Sequence, residues 1–100
     1  MADQPSTPKT IAFNLDEYTR KDKPDTLWVT IGGEAVKFND PVELDYRLLD
    51  RIETPDAFAK YCVAEESRQH FKDQTLSVGE FRRLTEVYME HYRVDELLGN

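Results

Sequence analysis

A chain of 100 residues makes one domain, and one so short covers only roughly 60 to 65 % of its unfolded surface, so its stability is modest unless a partner helps. Hydrophobic residues at 39 % suffice for a core and 33 % charged residues keep most positions wet, while a net charge of −7 that no Lys/Arg cluster breaks, Arg20-Lys21 and Arg82-Arg83 being the densest basic pairs, weighs against nucleic-acid binding. A single cysteine, Cys62, allows no internal disulfide and points to a reducing cytoplasm; no apolar run reaches the roughly 20 residues of a membrane span, and Met1 to Pro8 lack the apolar stretch of a signal peptide.

Residues 1–9 hold Pro5, Pro8 and small polar residues, a composition that favours a disordered arm, and residues 10–100 are read as a single hairpin-plus-helices domain. Ile11, Phe13 and Leu15 alternate as in a strand, while Asn14 followed three positions later by Glu17 fits a short capped helix to Tyr18; both forms stay open. Arg20-Lys21-Asp22-Lys23-Pro24-Asp25 reads as a solvated loop. Leu27-Trp28-Val29-Thr30-Ile31 is β-branched and aromatic, Gly32-Gly33 supplies a tight turn, and Glu34-Ala35-Val36-Lys37-Phe38 returns: a β-hairpin with one face, that of Leu27, Val29 and Ile31 or of their alternates, resting on helices.

Asp40-Pro41-Val42-Glu43 joins an N-cap acid, a proline at the first helical position and a glutamate at N3, which predicts a first helix over about residues 41–52. Its apolar residues Val42, Leu44, Tyr46, Leu48, Leu49 and Ile52 cover about half of the circumference, more than a surface helix needs. Thr54-Pro55 repeats the start signal, predicting a second helix to about Phe71 with Ala57, Phe58, Tyr61, Cys62, Ala64 and Phe71 on one side. Ser77-Val78-Gly79-Glu80 is a capping box opening the longest helix, about residues 78–98, closed by Gly99. Phe81, Leu84, Tyr88 and Tyr92 form its stripe. The fold class expected is therefore α+β and mostly helical, with the N-terminal β-hairpin packed on a three-helix C-terminal bundle.

Residues that could carry chemistry fit a structural role better. Glu66 and His70 sit one helical turn apart and His91 stands in Glu90-His91-Tyr92, without an HExxH or CxxC pattern, so they read as solvated helix residues rather than metal ligands. Cys62 has only apolar neighbours in sequence, the setting of an inert thiol. Asp16-Glu17, Glu65-Glu66 and Asp95-Glu96 are adjacent pairs that diverge by about 100° on a helix and share no substrate. Gly32-Gly33 lacks the Lys-Ser/Thr of a phosphate loop. These readings give no enzyme, no cofactor and no metal; the surplus of apolar residues on the first and third helices points to a protein partner or self-association.

The order of short motifs is more informative than any one of them. Phe13-Asn14-Leu15-Asp16 precedes a charged linker, Ile31-Gly32-Gly33 makes the turn, Phe38 to Leu44 reads Phe-x-Asp-Pro-x-Glu-Leu, and Leu76-Ser77-x-Gly79 leads to Val87-Tyr88-Met89-Glu90-His91-Tyr92. Over residues 11–98 this resembles the tail assembly chaperones of long-tailed bacteriophages, especially those of actinobacterial hosts. The resemblance implies a non-catalytic assembly factor of the host cytoplasm that coats and solubilises the tape measure protein, helps recruit tail tube protein subunits, and is absent from the mature virion. Such chaperones are often made also in a frameshifted longer form, and a chain ending at Asn100 fits the short one. An acidic cover over a long apolar-striped helix is physically consistent with that role. Leu48, Tyr88, Tyr92 and Leu98 are the contacts expected with the partner or a neighbouring copy. The competing expectation is a small head-tail or tail completion protein of the virion. A DNA-mimicking regulator is a third reading, disfavoured because Lys and Arg interrupt the acids on every element.

Overall fold

The tight turn at Gly32-Gly33 organises the N-terminal half of the computed structural model, which describes residues 10–19 and 22–94. Both glycines take positive φ, 60° and 84°, as a two-residue hairpin turn demands, and a Cβ on Gly32 would collide with the Gln74 side chain. Strands β1 (Trp28–Ile31) and β2 (Glu34–Lys37) therefore pair antiparallel, with Val29 opposite Val36 and Trp28 opposite Lys37. Ile31, Val36 and Phe38 turn into the core with Leu27 and Val29 at its margin, while Trp28, Thr30 and Ala35 face out. At the open end of the hairpin the Tyr92 hydroxyl enters the ladder: the Leu27 N–H donates to it at 2.9 Å and it donates to the Phe38 carbonyl at 3.4 Å.

The architecture is α+β and mostly helical, with this N-terminal hairpin resting on three C-terminal helices, α1 (Pro55–Ala57), α2 (Glu65–Asp73) and α3 (Val78–Tyr92). The expected first helix is not one. Over residues 41–52 the chain makes two short 3-10 turns, Pro41–Glu43 and Tyr46–Leu48, separated by extended backbone at Leu44. The reason is a second cap inside the segment. Asp40 accepts the Val42 N–H at 2.9 Å as expected, but Asp45 then accepts the Arg47 N–H at 2.9 Å and restarts the turn before a helical ladder can form.

The expected second helix is likewise divided. After α1 the chain widens into a π turn, Phe58–Cys62, then becomes extended at Val63, and only afterwards enters α2. The hairpin draws it out: Val63 bridges Phe38, the Asn39 N–H donates to the Cys62 carbonyl at 2.7 Å, and the Ala64 N–H donates to the Lys37 carbonyl at 2.9 Å. The Lys37 N–H completes this seam by donating to Ser67 Oγ at 3.0 Å. Backbone groups that would have bonded along a helix thus close the outer edge of β2.

Helix α3 begins as its capping box predicts, with both reciprocal bonds between Ser77 and Glu80 in place at 3.0 and 2.8 Å. Its regular run ends at Tyr92, where Arg93 adopts a left-handed conformation, φ 56°, and Val94 is helical again; the expected end near residue 98 lies outside the described residues. The stretch left open between strand and helix is a single 3-10 turn, Leu15–Glu17, capped by Asn14, whose side chain accepts the Asp16 N–H at 3.0 Å. The expected arm, residues 1–9, and the expected closing Gly99 lie outside the described residues.

The core gathers around Phe58. Its ring lies 5.2 Å from that of Tyr88 and 5.5 Å from Phe81, both edge-on, and 5.9 and 6.2 Å from Phe38 and Phe71. Edge-to-face pairs at these separations add about 0.5–1.5 kcal/mol each beyond the area they bury. Hairpin, π turn and both longer helices meet in this one cluster.

Candidate interaction surface

Among the described residues, Cys62, Tyr88, His70 and His91 each lie against main-chain carbonyls. Cys62 is fully buried with its Sγ 3.9 Å from the Ile52 carbonyl, and burial pushes its thiol up to about 11, so it holds almost no thiolate at neutral pH. Beside it the Tyr88 hydroxyl donates to the Asn39 carbonyl at 2.7 Å, and burial drives its phenol far above the ordinary range. His70 points its Nε2 at the Ile31 carbonyl, 2.6 Å away, and latches α2 to the hairpin turn. Glu66 and His70, one turn apart on α2, each reach across to the hairpin, Glu66 to Lys37 at 3.5 Å and His70 to Glu34 at 3.3 Å. His91 Nε2 lies 2.6 Å from the Asp25 carbonyl, and its ring meets Tyr92 edge-on at 4.7 Å. Among the described residues no group of three His, Cys, Asp or Glu side chains is placed to hold a metal ion.

Of the four residues expected to meet a partner, the fold brings two together and removes them from the surface. Tyr88 and Tyr92 stack edge-on at 5.3 Å, each 1 % exposed or less, with both hydroxyls bonded to backbone; in this fold they offer a partner nothing, a correction to the reading of the α3 stripe as contact surface. The stripe is consumed by the core because α1, the π turn and α2 together are too short to close without it. Leu48 stands apart, half-buried at the wall of a surface groove. Leu98 lies outside the described residues.

Surface of the kind expected at a contact is found at other residues. One groove, about 190 Å³, runs along the two 3-10 turns between Pro41, Val42, Leu44, Leu48, Leu49 and Ile52. Beside it Tyr46 is 78 % exposed. Asp45 and Arg47 clamp that rim: the guanidinium grips the carboxylate through two bonds, 3.0 and 2.7 Å, and holds its pKa down at about 2. A second groove, about 410 Å³, opens between the π turn and the start of α3, lined by Pro55, Ala59, Phe71, Leu76, Val78 and Phe81. Both are shallow apolar troughs of the sort that receive a hydrophobic helix face or an extended apolar segment.

A third apolar region is the N-terminal segment, where Ile11, Phe13, Leu15 and Tyr18 are all more than half exposed, with Trp28 of β1 at 55 %. The alternation of Ile11, Phe13 and Leu15 was the sequence signal for it; nothing in the pattern of residues 41–52 separated Tyr46 and Leu49, outside, from Ile52, inside.

No family model matches the sequence, and neither a curated protein nor a solved structure is similar to it.

Proposed function

We propose that this chain is a non-catalytic tail assembly chaperone of a long-tailed bacteriophage, which binds and solubilises the tape measure protein and helps recruit tail tube subunits in the host cytoplasm, leaving before the virion is complete. The observation that carries the reading is the coexistence of strong acidity with uncovered apolar surface. A net charge of −7 accompanies Tyr46, Leu49 and Val78 exposed beside two apolar grooves. An exposed apolar trough on a highly charged body is what a protein needs to cover a helical stripe and keep the complex in solution. The ordered motifs from Phe13 to Tyr92 supply the particular partner.

Co-expression with the tape measure protein of the same genome tests it. The chaperone reading expects soluble tape measure co-eluting with many copies of this chain in size exclusion. An insoluble tape measure with this chain eluting alone overturns it in favour of a head-tail or tail completion subunit, which purified particles would then contain.

A further inference from the structure

The two edges of the hairpin are treated differently. On β2 the outward N–H and C=O of Lys37 are taken by Ser67 and Ala64. On β1 the Phe38–Leu27 bond fixes Leu27, Val29 and Ile31 as the residues that bond to β2, so the main-chain groups of Trp28 and Thr30 point away from the sheet. No hydrogen bond from another described residue reaches them. A four-residue edge with open donors and acceptors is a template for another strand, and a two-stranded sheet gains most from a third.

Leading into the Leu15–Glu17 turn, the chain carries a segment whose residues alternate as in a strand but pair with no other strand among the described residues. Ile11, Phe13 and Leu15 alternate with Ala12 and Asn14, and they are 61 %, 66 % and 72 % exposed. We propose that residues 11–15 of one copy add antiparallel to the β1 edge of a second copy, and the reverse, joining two molecules by strand exchange. In the register that satisfies the open groups, Ala12 and Asn14 bond to Thr30 and Trp28, and the Leu15–Glu17 turn opens so that the Asn14 carbonyl exchanges the Glu17 N–H for that of Trp28. Ile11, Phe13 and Leu15 then stand opposite Ile31, Val29 and Leu27, where they extend the buried face of the hairpin over its half-covered margin.

Area selects a second copy as the occupant. Ile11, Phe13 and Leu15 together carry on the order of 400 Å² of uncovered side chain per copy. Two reciprocal docks, counting donor and acceptor surfaces, bury at most about 1,600 Å², the size of a stable specific dimer. This inference is independent of the chaperone reading, since it concerns the chain alone.

The test is sedimentation of the purified full chain from micromolar to near-millimolar concentration, with the emission of Trp28, the single tryptophan, as a local probe. The expectation is a dimer whose formation shifts Trp28 emission to the blue as concentration rises. Ala12→Pro removes one ladder donor while leaving the apolar residues in place, and it should weaken association by roughly 100-fold. Phe13→Ser should do the same, and at concentrations where the wild type is monomeric both variants should keep its circular dichroism and melting temperature, because Ala12 and Phe13 are exposed in the single chain. A wild type that stays monomeric overturns the proposal, and so does a dimer indifferent to Ala12→Pro. A blue-shifted Trp28 independent of concentration would mean that the segment docks on its own β1, and would overturn exchange between copies. Tape measure solubility, measured separately, is unaffected by which of these holds.

Discussion

The aromatic cluster around Phe58 and the run from Pro41 to Glu53 are built from the same kinds of residue and end in opposite environments. Phe38, Phe58, Phe71 and Tyr88 come from four separate stretches and bury one another completely or nearly so. Tyr46 and Leu49 belong to a segment bonded mainly to itself, through Asp45 and consecutive 3-10 turns, and they stay at the surface. The difference teaches that apolar content does not decide burial here. Where a polar side chain satisfies the backbone locally, the chain can hold a shape without packing, and its apolar residues remain available to something else.

The contrast can be broken most severely at its buried end. Phe58→Ala removes the ring that all the others touch and should cost about 3–5 kcal/mol, read as a lower urea midpoint in chemical denaturation. The next effect is one of pH. Because the folded state holds the Cys62 thiol neutral to about 11, whereas an unfolded thiol ionises near its ordinary value, the unfolded state binds fewer protons between roughly pH 9 and 11. Stability should be unaffected by this group below that window, fall by about 2–3 kcal/mol across it, and lose that component of the slope in Cys62→Ala. Tyr92→Phe keeps the ring but leaves the Leu27 N–H and Phe38 C=O without their bridge, an expected loss of about 1–3 kcal/mol. At the exposed end, Leu49→Ser should change folding stability by no more than about 0.5 kcal/mol. If the groove is a docking surface, the same substitution should lower the yield of soluble tape measure on co-expression.

Much of the fold could be read from local signals. The hairpin, the Ser77 capping box and the start of α3 each depend on side chains within a few positions of the backbone they serve. What escaped depends on groups far apart in sequence. Val63 leaves the helix because Phe38 and Asn39 need partners, and no pattern within residues 55–71 records that need. Asp45 was visible, but its choice to cap Arg47 rather than face solvent inside a helix is settled by a contest between two close caps. The contact surface was legible only as an excess of apolar residues: the regular α3 stripe had the better periodicity and was claimed by the core, leaving the irregular segments outside.

The Tyr92 hydroxyl between the strands has a dynamic consequence. The Leu27 amide is held by a side chain at the last residue of α3 rather than by the neighbouring strand. Its exchange with deuterated water should therefore follow fraying of that helix end, not opening of the hairpin. An amide in β-sheet territory would report the stability of a helix, and two parts of the chain 65 positions apart would share one opening event.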